Sequence, residues 1–241
     1  MTYCVGLLLK AGMVLLSDTR TNAGLDNIAT YRKMFTFEVP GERVIVMLTA
    51  GSLSVTQTTL ARLREAIEHP DEAGGGSILS AHTMLDVAEI VGNTLASVRQ
   101  DINAKMEASK VSTTASIILA GQRRGGTMRM FLIYPEGNFI EATEDTPYLQ
   151  IGEHKYGKPI LDRVVRPETG LVEARKAVLL SMDSTLRSNL SVGMPLDYAE
   201  IAADALKVTR SQRIEAQDED FRAMSLAWSN ALRDGFHKIT I

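Results

Sequence analysis

Cysteine is nearly absent from this chain: Cys4 is its only one. An internal disulfide is therefore excluded, and the usage suits a reducing cytosol. Histidine is also scarce. His69, His82, His154 and His237 are dispersed, with no His-Glu-x-x-His pattern and no cysteine partners, so neither a metal site nor a cofactor is expected. No apolar run approaches ~20 residues, so no segment is expected to span a membrane. No basic start followed by a cleavage site is present, so a signal peptide is not expected and the localisation reads as cytoplasmic. The formal net charge is only −3, which gives no general pull towards nucleic acid or membrane. Basic residues are scattered rather than interleaved with exposed aromatics, so nucleic-acid binding has no support. Gly74-Gly75-Gly76 lacks the lysine and hydroxyl of a phosphate-binding loop and reads as flexible linker.

What is present is a 241-residue chain with 45% hydrophobic residues, enough for one full core. No internal linker or repeat divides it, so residues 1–241 read as one domain, with 206–241 as a C-terminal helical extension. Residues 2–9 read as a strand, Lys10-Ala11-Gly12 as a tight turn and Met13–Thr19 as the return strand. Residues 33–39 alternate strictly, and Arg43–Thr49 is a strand core. Helical patterns cover about 53–68 and 82–107. A second hairpin spans Thr113–Gln122 and Met128–Pro135. A short strand near 147–151, helices near 155–165 and 170–188 and a strand near 193–205 follow. This order fits an α+β fold, a four-layer α/β/β/α sandwich of two packed, mainly antiparallel sheets. In the extension, Phe221, Met224, Trp228 and Leu232 share one helical stripe, expected to pack back on the same subunit or to meet another. Asp218-Glu219-Asp220 reads as the acidic first turn of that helix.

The chemistry starts at Thr2, directly behind Met1. With Met1 removed, Thr2 carries a hydroxyl and a free α-amine on one residue, a nucleophile and general base without histidine. Such an amine titrates near ~7.7–8.0, well placed to accept a proton at neutral pH. The hairpin brings Asp18 back towards Thr2. Lys33 shares its face with Phe35, Phe37 and Val39 and points inward, so a carboxylate must accompany it, and Asp18 is the natural partner. A cation beside Thr2 favours its alkoxide and restrains protonation of the amine. The same pair is also what a purely structural ion pair looks like. Gly51 lies at a strand-to-helix turn, where its N–H suits an oxyanion donor; Ala50-Gly51-Ser52 is equally an ordinary turn with Ser52 as helix cap. Cys4 is a rival nucleophile only after cutting behind Tyr3, for which no signal exists, and reads as a small core residue.

Thr2, Asp18, Lys33 and Thr49-Ala50-Gly51-Ser52, in this order and spacing, resemble a proteasome β-type subunit of the N-terminal nucleophile hydrolases. The closer match is the bacterial ancestral β-subunit lineage, Anbu. Met1-Thr2-Tyr3-Cys4-Val5-Gly6, Ser17-Asp18-Thr19-Arg20-Thr21-Asn22-Ala23-Gly24, Arg187-Ser188-Asn189-Leu190-Ser191-Val192-Gly193 and Ala227-Trp228-Ser229 agree with it. The likeness covers nearly the whole chain.

The resemblance implies Thr2 as nucleophile, Lys33 as the basic residue beside it, Asp18 as that lysine's acidic partner and Gly51 as the oxyanion amide. It implies that Ser191 supports the α-amine. Two positions depart from the active ring proteases: Ser188 stands where they carry aspartate, and Glu153 where they carry serine. Glu153 is a candidate to supply the missing negative charge. Implied partners are a peptide or amide substrate and copies of the same chain, in a ring or an open spiral; an unfolding ATPase is left open. A small residue behind Met1 usually permits its removal, so the mature chain is expected to start at Thr2. Three functions follow: a threonine-type peptidase or amidohydrolase; an amidase narrowed to a small or branched amide; or an assembly protein with a vestigial site.

Overall fold

A computed structural model describes residues 2–22, 28–70, 76–106 and 113–240. Met1, Ala23, Gly24, Gly74 and Gly75 lie outside the described residues. In chain order the strands are β1 Tyr3–Leu9, β2 Gly12–Asp18, β3 Arg20–Asn22, β4 Ile28–Thr30, β5 Met34–Val39 and β6 Arg43–Gly51. Helices α1 Leu53–Glu68 and α2 Met84–Met106 come next, then β7 Ala115–Arg123, β8 Arg129–Ile133, β9 Phe139–Glu141 and β10 Tyr148–Gly152. The chain ends with α3 Lys158–Val164, α4 Leu171–Ser188, β11 Leu196–Ala202, β12 Arg210–Ile214 and α5 Glu219–Lys238.

One sheet has the order β10-β1-β2-β11-β12 and the other β5-β6-β7-β8-β9, with β3-β4 as a separate ribbon. All the pairings are antiparallel. The period-2 alternation of the strands builds three cores. Tyr3, Val5, Leu16 and Tyr198 face α3 and α4, where they meet Leu161, Val178 and Met182. Cys4, Met13 and Leu15 face the opposite way and meet Val46, Leu48 and Ile118 of the second sheet. The far side of that sheet, with Met47, Leu119 and Phe131, packs on Leu60, Val91 and Leu95 of α1 and α2. The result is the α/β/β/α layering expected from the element order.

Two local expectations change. Ser52 holds the N-cap position of α1 without capping it; its hydroxyl pairs with Ser54 Oγ at 3.1 Å. The segment from 206 is not purely helical, because β12 pairs with β11 and completes the first sheet before α5 begins. The sequence Arg-Ser-Gln-Arg-Ile of β12 is exposed except at Ile214, so it carries no apolar alternation to announce an edge strand. In α5, Asp218 caps the helix by accepting from the Phe221 N–H at 2.8 Å. Phe221 packs against the core beneath α4, and Trp228 is partly buried. Leu232, by contrast, is 55% exposed, so the stripe packs on its own subunit only along its first half.

Candidate active site

Thr2 stands at the start of β1, buried at the edge of the sandwich. Its carbonyl accepts the Glu153 N–H at 2.7 Å. Gly152 makes this possible: it adopts φ +82°, and a Cβ there would lie 1.9 Å from the Thr2 carbonyl oxygen. The end of β10 is thereby clamped against Thr2.

Asp18 ends β2, fully buried. Its Oδ1 accepts from Lys33 Nζ at 2.7 Å and from the Tyr3 N–H at 3.1 Å, and its Oδ2 from the Gly193 N–H at 3.2 Å. Burial pushes the Asp18 carboxyl up; the Lys33 charge and the three donors pull against it without cancelling it. Lys33 sits just ahead of β5, buried as its inward register predicts, and its Nζ also donates to the Arg20 carbonyl at 2.6 Å. Its backbone is fixed by β6, since the Thr49 N–H donates to the Lys33 carbonyl at 2.9 Å.

Gly51 closes β6 at φ +106°, with the Thr114 carbonyl oxygen 2.3 Å from where a Cβ would stand. Thr2, Lys33 and Gly51 line one cavity of about 340 Å³, together with Thr21, Thr49 and Arg32. Asp18 lies beneath Lys33. A nucleophile candidate, a held cation and a strand-to-helix glycine thus converge on one solvent-accessible space, the juxtaposition that acyl transfer requires.

The three remaining residues are placed differently. Glu153 is half-buried; its carboxylate accepts from Asn189 Nδ2 at 3.2 Å and from the Lys155 N–H at 3.4 Å. Ser191 donates its backbone N–H to Asn189 Oδ1 at 2.9 Å, and its hydroxyl makes no hydrogen bond to Thr2 among the described residues. Ser188 is exposed at the last position of α4. Asn189, which sequence reasoning quoted but gave no role, is the buried link between Glu153 and the Ser191 backbone. Arg20 was missed as well. Its guanidinium donates to the Leu190 carbonyl at 2.9 Å, and Gly193 leaves it room, because a Cβ there would stand 2.1 Å from Arg20 Nε. Asn189 and Arg20 therefore tie the loop that delivers the Gly193 N–H to Asp18.

Cys4 faces the core between the sheets, its Sγ 3.7 Å from the Thr49 carbonyl. Burial, reinforced by the Asp18 charge, pushes its thiol up and away from the reactive thiolate. Among the described residues no group of three His, Cys, Asp or Glu is placed to hold a metal ion. No described helix is long and apolar enough to cross a membrane.

No family model and no curated protein match the chain. Solved structures do. An Anbu (Gly-1) mutant from Hyphomicrobium sp. strain MC1 is 48% identical, with 100% of this chain and 99% of that one covered and a TM-score of 0.92. Anbu from Yersinia bercovieri is 40% identical over 99% of this chain and 98% of its own, with a TM-score of 0.92. The helical assembly of the Anbu complex from Pseudomonas aeruginosa is 42% identical over 99% and 97%, with a TM-score of 0.93. With this fold, this ordered set of residues and this likeness over the full length, the chain belongs to the Anbu family, the ancestral β-subunit lineage of the proteasome-like N-terminal nucleophile fold.

Proposed function

We propose that the chain is a threonine-type peptidase or amidohydrolase working as a subunit of a homo-oligomeric, proteasome-like particle in the cytosol. The observation that carries this reading is the shared cavity of Thr2, Lys33 and Gly51, with Lys33 held by buried Asp18. The reaction requires that Met1 be removed. Thr2 Oγ1 then attacks the amide carbonyl and passes its proton, directly or through water, to its own α-amine. The Lys33 ammonium favours the alkoxide electrostatically. The Gly51 N–H holds the oxyanion. The α-ammonium protonates the leaving amine as the C–N bond breaks, and water hydrolyses the Thr2 ester, returning the free hydroxyl. The Pseudomonas relative is a helical assembly, which supports self-association of this chain.

The test is covalent labelling of the purified protein by a peptide epoxyketone or β-lactone, read by mass spectrometry with Thr2→Ala as control. An adduct on Thr2 of a chain lacking Met1 is expected. A chain that keeps Met1 and takes no label leaves an assembly protein. Fast degradation of an unfolded casein-like chain would exclude an amidase restricted to small or branched amides.

A further inference from the structure

Two further concavities share wall residues with the cavity at Thr2. One of about 400 Å³ runs beside α1, past Leu53, Phe35 and Arg64. The other, of about 320 Å³, lies between edge strands β5 and β12 and is walled by Arg64, Asp197 and Arg213. Arg32 lines all three spaces. Leu53 and Thr56 are common to the first two, and Phe35 and Arg64 to the second and third, so the three spaces adjoin and are taken together as a groove.

The groove's charge is one-sided. Among the described residues its cations are Lys33, Arg32, Arg64 and Arg213, and its one acid is Asp197. Lys33 is neutralised by Asp18 below it. Asp197 pairs with Arg213, Nη1 to Oδ1 at 3.3 Å, and Arg213 also reaches Glu215 at 3.5 Å. Asp197 is close enough to Arg32 to feel its charge, but Oδ2 is buried without a hydrogen-bond partner among the described residues. Arg64 lies over the Phe35 ring, 5.7 Å from its centroid. Among the described residues neither Arg32 nor Arg64 makes an ion pair or a side-chain hydrogen bond, and both are exposed. Among the described residues, Arg32 and Arg64 thus stand beside the Thr2 cavity without a carboxylate hydrogen-bonded to either guanidinium, Arg32 feeling Asp197 only at a distance.

Planar guanidinium groups match carboxylates bidentately, and stacking on Phe35 holds Arg64 in place for such a contact. Arg32 lines the same cavity as Thr2, so a carboxylate on it belongs to a substrate residue near the scissile bond. We infer that the arginine groove receives acidic side chains of the polypeptide substrate, seating an Asp or Glu on Arg32 and Arg64 while the bond to be cut lies at Thr2. This specificity rests on the peptidase reading above.

The test separates the two. Fluorescent peptides identical except for Glu or Gln beside the central bond are bound to the full-length Thr2→Ala protein, which cannot turn them over, and read by anisotropy. The Glu peptide is expected to bind on the order of tenfold more tightly, as for two partly exposed ion pairs. That preference should vanish in the Arg32→Gln/Arg64→Gln variant, whose folding is checked by circular dichroism, and shrink in ~1 M salt. Equal binding of the two peptides, or a preference that survives the double substitution, overturns the groove. Separately, wild-type protein is treated with a neutral epoxyketone. Absence of a Thr2 adduct there sinks the peptidase reading alone, because the binding comparison involves no chemistry at Thr2.

Discussion

Lys33 Nζ lies 2.7 Å from Asp18 Oδ1, with both side chains almost wholly withdrawn from solvent. A buried pair of this kind is costly to break from one side, because the abandoned charge stays in a poorly solvating interior. Lys33→Met is therefore expected to lower stability by about 3–5 kcal/mol and to abolish labelling of Thr2. Without Lys33, the upward push of burial on Asp18 goes unopposed by the ammonium. A carboxyl raised in the folded state contributes stability below its unfolded pKa of about 3.9 and loses it as pH rises through the folded value. The Lys33→Met protein should thus fall further behind wild type at pH 8 than at pH 5 in urea unfolding. Adding Asp18→Asn removes the stranded charge, so stability should partly return while labelling does not.

Gly51→Ala tests the turn beside the cavity. A side chain there meets both a left-handed φ and the Thr114 carbonyl. The strain should cost about 1–3 kcal/mol, and displacing the amide should slow labelling by about 10²–10³-fold. Gly76→Ala, where a Cβ meets nothing within 4 Å, is the control for the substitution itself. Labelling of Gly51→Ala at the wild-type rate would remove Gly51 from the mechanism.

Asn189→Ala deletes two hydrogen bonds at once, to the Glu153 carboxylate and to the Ser191 N–H. A loss of about 1–3 kcal/mol is expected, with slower labelling, because the loop carrying the Gly193 N–H to Asp18 loosens. Ser188→Ala, at an exposed helix end, should change stability by no more than about 0.5 kcal/mol. Thermal unfolding of the two variants side by side makes the comparison.

Cys4 gives a check on packing. Its thiol is buried and held protonated. Native protein at pH 8 should not react with a thiol reagent such as dithionitrobenzoate over minutes, whereas protein in denaturant should release one equivalent at once. Rapid reaction of the native protein would contradict the core between the sheets.

The sequence made the long strands legible because β1, β2 and β6 are short continuous apolar runs, buried on both faces, and β5 alternates. β1, β2, β5 and β6 were each read within a few residues, as were both helices on either face. β3, β4 and β9 are only three residues long, and β12 is almost entirely exposed, so periodicity had nothing to act on. The pairing of Asp18 with Lys33 was readable because an inward lysine demands a carboxylate. The long-range contacts of Asn189 and Arg20 were not: beyond its local bond to the Ser191 N–H, Asn189 reaches Glu153, and Arg20 reaches the Leu190 carbonyl. No spacing rule predicts such contacts. Ser191 was assigned by likeness alone, and its hydroxyl has no hydrogen bond to Thr2 among the described residues.

The clamp at Gly152 bears on the proposed removal of Met1. Thr2 is anchored through its own carbonyl, by Glu153, and through the following amide, by Asp18. Both tethers lie downstream of its α-carbon. The removal of Met1 proposed above would cut on the upstream side and leave both tethers intact, so the exposed end would keep its place in the hairpin.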